Sequence, residues 1–305
     1  MTDSADDVSI GSEDRVISAM VLPSFNAPGS ILPPTEVERG AVKTSGDWQV
    51  LGAQATTWEI RGTLAGVEHG RLAELFGLAG AAGEQLGLAA TASRDIARWL
   101  AVIEDVNDGW GFATRAATER LVSYLHSASH HFGSVATRTM LLRPPASSPL
   151  VRKQARYARD YPDRPALWTP FSSDPAAFFP LNRETARVLR REARCHDAEC
   201  FTHVSDAVSS VTVDDRWEEM VGRRHNEYHR WRVQSSPGAD PAEFPWKREA
   251  DTLTLSVRVQ RAVPFDPMRT MKLAEDARAG LHLLATAMRT WLSVWEESWE
   301  EFLAG

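Results

Sequence analysis

Arg224, His225 and His229 place a guanidinium and two imidazoles within six residues of the stretch Asp214 to Arg232, DDRWEEMVGRRHNEYHRWR. An imidazole can take and give a proton near neutral pH, and a guanidinium stabilises phosphate charge; together they suit hydrolysis or transesterification of a phosphodiester. Arg223, Tyr228, Arg230 and Arg232 add cations and an aromatic ring that could hold a nucleic-acid backbone. Trp217, Val221, Arg224, Tyr228 and Trp231 recur at three and four, the stripe that an amphipathic helix turns towards its core. Arg224 therefore occupies a position meant for a hydrophobe. Burying an unpaired guanidinium is costly, so Arg224 must pair with a carboxylate, snorkel, or meet an anion at a pocket or interface.

Arg224, four intervening residues beginning with the polar His225, and then His229 resemble the Arg-x4-His signature of the HEPN superfamily. The resemblance implies a helical bundle, often dimeric, with metal-independent RNase activity in toxin–antitoxin or antiviral defence. On that reading His229 transfers protons, Arg224 stabilises the phosphate and transition state, and His225 helps orient them. Arg223, Arg230, Arg232 and Tyr228 would contact RNA, with no cofactor and with a regulatory protein as a further partner. Residues five apart on an ideal helix are separated by about 140°, so either a two-fold dimer contact brings Arg224 and His229 of two copies together or the helix frays before His229. Two other places have comparable spacing. Arg120 precedes His126 but is followed by apolar Leu121; Arg190 and Arg191 precede His196, and the polar Glu192 after Arg191 keeps that pair open.

Three further constellations carry ligand chemistry. His126 and His130, with His131 beside them, could bind one metal ion from a helix face, which supports a metal-dependent hydrolase as a weaker alternative, with His196 or His203 as third ligand. No metal-protease glutamate accompanies them, and small polar residues at a helix contact are the simpler reading. Cys195-His196-Asp197-Ala198-Glu199-Cys200-Phe201-Thr202-His203 gathers two thiols and two imidazoles without the spacing of a zinc knuckle; Asp197 is expected to cap a helix there. Arg152, Lys153, Arg156, Tyr157 and Arg159 interleave cations with an aromatic, as contacts to single-stranded nucleic acid do, although a solvated face is the simpler assignment. Phosphate-loop, nucleophile-elbow and di-iron motifs are missing. A non-catalytic helical binding or adaptor protein remains the main alternative to a nuclease.

These residues are set in a 305-residue chain with net charge −7, so contact with nucleic acid must come from local clusters. Of 34 basic residues only four are lysines, so it is the placement of arginine, not its abundance, that is informative. Two cysteines give no disulfide framework, and the acidic start MTDSADDVSIGSEDR is unlike a signal peptide. With no apolar run of the ~20 residues that span a bilayer, the chain reads as a cytoplasmic protein without a membrane segment.

The pattern predicts a mainly α helical bundle with a minor β-strand or hairpin and a long proline-rich crossover. Residues 1–14 form a disordered acidic tail, and 15–305 form one domain whose halves, 15–142 and 181–305, are joined by proline-rich 143–180. Trp48 to Ile60 is ambiguous between strand and irregular structure. Helical runs follow from Val67, from Ser93 to Val106 and from Phe112 to Leu142, with a turn or two in Leu150 to Asp160. Helices resume over Asn182 to Arg194, Asp197 to Ser209 and the motif stretch, where Asp215 and Glu218 form an acidic capping box. Thr252 to Gln260 alternates as a strand that could pair with the Trp48 region, and Asp266-Pro267 starts a helix to about Phe302. Glu296, Glu297, Glu300 and Glu301 form a solvated face.

Overall fold

A computed structural model describes residues 33–67, 69–102, 109–160, 181–230, 247–249, 252–254 and 267–304, with only the backbone at 69, 101–102, 109–112, 154, 157–158, 223–230, 247–249, 252–254 and 267–269. Thr35 opens the first helix through a capping box. Its hydroxyl accepts the Glu38 N–H at 3.3 Å, and Glu38 Oε2 accepts the Thr35 N–H at 2.9 Å. α1 (Glu36–Ala53) passes through Gln54 into α2 (Ala55–Leu64), so the region left open between strand and irregular structure is helical. Ala41, Thr44, Ser45, Trp48 and Leu51 are buried at helical spacing, and that stripe outweighs the strand preference of Trp48, Val50 and Trp58. Trp48 is thus unavailable for strand pairing; its Nε1 donates to Met288 O at 3.0 Å. α2 closes in a Schellman turn: Gly66 adopts φ 84°, its N–H meets Thr63 O, and Val67 N–H meets Gly62 O.

α3 (His69–Val102) and α4 (Gly109–Met140) pack against each other, and α1 lies on α3. The two runs expected near Val67 and Ser93 belong to one helix, α3, which continues through Gly77, Gly80, Gly83 and Gly87. Gly83 and Gly87 let α1 approach: a Cβ at Gly83 would sit 2.8 Å from Ser45 O and one at Gly87 2.7 Å from Ser45 Oγ, and Ser45 Oγ donates to Gly83 O at 2.7 Å. At the start of α3, Glu74 forms a partly buried ion pair with Arg138 near the end of α4; further along, Asp95 meets Arg120 at 3.3 Å, so the two helices run antiparallel.

α5 (Pro149–Asp160) is a full helix where one or two turns were expected. Asn182 caps α6 (Arg183–Ala193), its side chain accepting the Thr185 N–H at 2.9 Å. α7 spans Cys200–Thr212, with Glu199 as its N-cap residue and no side chain capping it; the cap expected at Asp197 is corrected. Backbone turns from Cys195 to Glu192 and from His196 to Ala193 use the preceding residues to fold the chain back on α6. α8 (Asp215–Arg230) is capped by Asp214, whose Oδ1 accepts the Arg216 N–H at 2.9 Å, one residue earlier than the Asp215 box. β1 (Lys247–Glu249) and β2 (Thr252–Thr254) pair antiparallel over three residues each. Residues 255–260 of the expected strand, the acidic tail, and residues 161–180 of the crossover lie outside the described residues.

α9 (Pro267–Ala304) begins at a first-turn proline and breaks locally at Ser298 (φ −128°, ψ 21°). It contacts α1, α3, α4, α7 and α8, and one hydrophobic cluster draws on all of these helices. Aromatic rings run through the centre. Trp48 lies 4.9 Å from Trp291, Trp291 stacks on Trp295 at 5.5 Å, Trp295 on Phe302 at 5.5 Å, and Phe302 meets Phe201 edge-on at 5.2 Å. Among the described residues the fold is mainly helical, and no helix is long and apolar enough to cross a membrane.

Candidate nucleic-acid site

The first half of α8 is anchored in the bundle. Trp217 and Met220 are each 1% exposed and pack on α9 at Gly280, where a Cβ would come within 3.3 Å of the indole. Arg183 Nη2 meets Asp215 Oδ1 at 2.7 Å, tying the helix start to α6. Hydrogen bonding to Arg216 holds the Asp214 carboxyl below its ordinary range, so the cap is charged at neutral pH. The chemistry-bearing residues Arg223, Arg224, His225, Tyr228, His229 and Arg230 follow in the last two turns of this helix. Their side chains, and all of Arg232, lie outside the described residues. By register Arg224 falls within about 20° of Trp217 and 40° of Met220, the two positions that are buried, and His229 falls about 140° away from Arg224.

The competing arginine–histidine spacings are used differently. Arg120 is held by Asp95, which also faces Arg98 at 3.7 Å, while His126 lies against His130 with ring centroids 4.1 Å apart. Arg120 is therefore a strut between α3 and α4. Arg191 is exposed on α6, whereas the His196 side chain is 1% exposed and stacks on Phe201 at 3.7 Å. His196 Nε2 lies 3.6 Å from Glu192 Oε1, and neither atom has a hydrogen-bond partner; Glu192 Oε2 accepts the Leu150 N–H at 2.9 Å. The fold thus separates Arg191 in solvent from an imidazole enclosed beneath it, and this pair does not form a reactive site within one chain.

Among the described residues no three His, Cys, Asp or Glu side chains gather to hold a metal ion. The proposed use of His126 and His130 with His196 or His203 is corrected on that point: His196 is committed to Glu192 and Phe201, and His203 is half-exposed, 3.7 Å from Glu199. The cysteine cluster does not form a site either. Cys195 Sγ donates to Arg191 O at 3.4 Å, and burial, assisted by Glu301, pushes the Cys200 thiol up to about 12, so it stays protonated. Burial and the nearby Arg138 charge push the His131 imidazole below its ordinary value, keeping it neutral.

Two features escaped the sequence reading. Glu38 does more than cap α1: Ser93 Oγ donates to its Oε1 at 3.0 Å, and Arg278 approaches to 3.7 Å, joining α1, α3 and α9; the Thr-x-x-Glu spacing at Thr35 was the available signal. Arg61 lies over Trp58 and Trp299 at 5.2 and 5.3 Å, beside exposed Ile60 and Leu64. Nothing in the local sequence links Trp58 to Trp299, 241 positions later by subtraction of their residue numbers.

The basic run forms the outer face of α5. Arg152, Arg156 and Arg159 are exposed, Asp160 faces the last two at 3.6 and 3.3 Å, and Lys153 bonds to Glu184 at 2.9 Å. That bond holds the Glu184 carboxyl below its ordinary range. The Tyr157 side chain lies outside the described residues. No protein-family model matches the chain, and neither a search of curated proteins nor one of solved structures returns a match.

Proposed function

We propose that this chain is an HEPN-like, metal-independent endoribonuclease, or a descendant of one, working as a homodimer in a defence or toxin–antitoxin setting. The observation that supports this most is the register of α8. Trp217 and Met220 are buried on one stripe, and Arg224 follows on that stripe in the last turns of the helix. A cation that continues the register of two buried residues calls for an anion, and an RNA phosphate at a dimer cleft would supply one. In the reaction the ribose 2′-oxygen attacks the adjacent phosphorus, the P–O5′ bond breaks, and a 2′,3′-cyclic phosphate and a 5′-hydroxyl result. One imidazole takes the 2′-hydroxyl proton and the imidazole of the second copy protonates the leaving 5′-oxygen. Arg224 bears the charge that develops on phosphate, while Arg223, Arg230 and Arg232 hold the flanking backbone. RNA cleavage that persists in EDTA and disappears in His229→Ala is the expected result. A His229→Ala protein that cleaves as well as the parent removes the reading.

The alternative, a non-catalytic helical adaptor, is favoured by the aromatic surface at Trp58, Arg61 and Trp299 with exposed Ile60 and Leu64. A monomer in solution with no RNA turnover would select it.

A further inference from the structure

Arg183, Arg187, Arg190 and Arg194 recur at i, i+4, i+7 and i+11, and all four are exposed, as is Arg191 beside them. At 3.6 residues per turn the four form one stripe along α6, about 16 Å long. The opposite face of the same helix is buried through Thr185, Ala186, Leu189, Glu192 and Ala193. The register is therefore fixed by the core, and the arginines have no alternative orientation. Like charges at i and i+4 repel, so a row of this kind works against an isolated helix.

The row is only thinly neutralised. Arg183 pairs with Asp215, and Arg190 Nη2 donates to Ser209 Oγ at 3.0 Å. Among the described residues the guanidinium groups of Arg187, Arg191 and Arg194 make no hydrogen bond or ion pair; Cys195 Sγ reaches only the backbone carbonyl of Arg191, and the Arg187 charge acts on Glu184 without bonding to it. Of the two carboxylates in α6, Glu184 bonds to Lys153, and Glu192 is buried against Leu150 and His196. α5 lies against α6 through these same contacts and adds exposed Arg152, Arg156 and Arg159, with Asp160 offsetting one charge. In a chain of net charge −7 this is a concentrated positive surface on two adjoining helices.

We propose that the arginine face of α6, extended by α5, is the surface along which an RNA backbone binds. A fixed row of guanidinium forks facing solvent suits a chain of phosphates better than a single small anion. The choice of RNA among polyanions rests on the ribonuclease reading; the binding surface itself does not.

The test is fluorescence anisotropy of the full chain with a labelled single-stranded RNA of about twenty nucleotides, in EDTA, across a salt series. Arg187→Gln/Arg191→Gln/Arg194→Gln leaves the buried face of α6 untouched and should weaken binding by at least about tenfold, lowering the log–log salt slope by about two. Arg115→Gln, on α4, should change neither. His229→Ala should bind RNA like the parent, so a loss of cleavage there with binding kept separates the fate of the catalytic reading from that of this surface. Unchanged affinity and slope in the triple variant, with circular dichroism matching the parent, would overturn the proposal. Binding of the parent to phosphatidylserine vesicles with none to RNA would overturn it as well.

Discussion

Glu192 joins two helices through one carboxylate: Oε2 accepts the Leu150 N–H at the first turn of α5, and Oε1 faces His196 Nε2 at 3.6 Å. The residue is fully buried, with the α5 N-terminus against one oxygen and the His196 imidazole near the other. Removing it leaves the buried Leu150 N–H without its acceptor. Glu192→Ala should cost about 1–3 kcal/mol, and Glu192→Gln, which keeps an acceptor for Leu150, clearly less. Urea titration measures both; an alanine variant within about 0.5 kcal/mol of the parent would show that α5 is seated by other contacts.

The α1–α3 contact depends on the absence of a side chain at Gly83. An added Cβ would meet Ser45 O at 2.8 Å, Trp48 Cβ at 2.9 Å and the Gln49 backbone at 3.1 Å, and two of these atoms are backbone that cannot rotate away. Gly83→Ala should therefore destabilise by about 1–3 kcal/mol as the helices separate. Gly77→Ala, on the same helix with no atom within 4 Å of the new Cβ, should stabilise by up to about 1 kcal/mol through helix propensity. Thermal unfolding of the two variants should shift in opposite directions, and a shared direction would rule out the close-approach explanation.

The contrast between those two glycines also shows what could be read in advance. Periodic apolar residues located the long helices, because Leu121, Leu125, Phe132 and Val135 fall at helical spacings of four, seven and three and are buried. The Trp48 to Ile60 stretch misled because its aromatic and β-branched residues favour strands locally, while the capping box at Thr35 and burial against α3 and α9 decide for helix. Periodicity separates the run from Val67 and the run from Ser93, with no role for the glycines between them; the tertiary approach of Ser45 and Trp48 gives Gly83 and Gly87 theirs. For the site, the Arg-x4-His spacing alone could not separate Arg191–His196 from Arg224–His229. The first pair is divided by burial, which depends on where Phe201 and Glu192 lie and not on spacing. The arginine stripe on α6 was present at i, i+4, i+7 and i+11, but its exposure follows only once Leu189 and Ala193 are known to face inward.

The two cysteines should differ sharply in reactivity. Cys200 is buried and its thiol is pushed up to about 12, first by burial and then by Glu301, so thiolate is scarce at mildly alkaline pH. Cys195 is half-exposed at the end of α6. Brief treatment of the folded protein with iodoacetamide near pH 8 should add a single adduct, mapped to Cys195 by peptide mass spectrometry, and denaturant should expose the second site. Equal labelling of both in the folded state would contradict the buried placement of Cys200.

His131 gives the fold a pH dependence whose sign can be worked out. Burial, with the Arg138 charge beside it, lowers its folded pKa below the ordinary 6.5, so on acidification the unfolded chain takes up a proton that the folded chain refuses. Its contribution to stability is therefore present above about pH 6.5 and is lost as pH falls towards the folded value, with a slope of at most about 1.4 kcal/mol per pH unit. Glu74 opposes this at more acidic pH. Burial raises its carboxyl above the ordinary 4.5 despite its bond to Arg138, so its contribution is complete below that value and is lost as pH rises through the folded pKa. The two are separated by comparing the parent with His131→Gln, which cannot titrate. Stability of the parent should fall relative to that variant between about pH 7.5 and pH 5.5, and parallel denaturation profiles over that range would show that His131 is protonated as readily in the folded state as in the unfolded one.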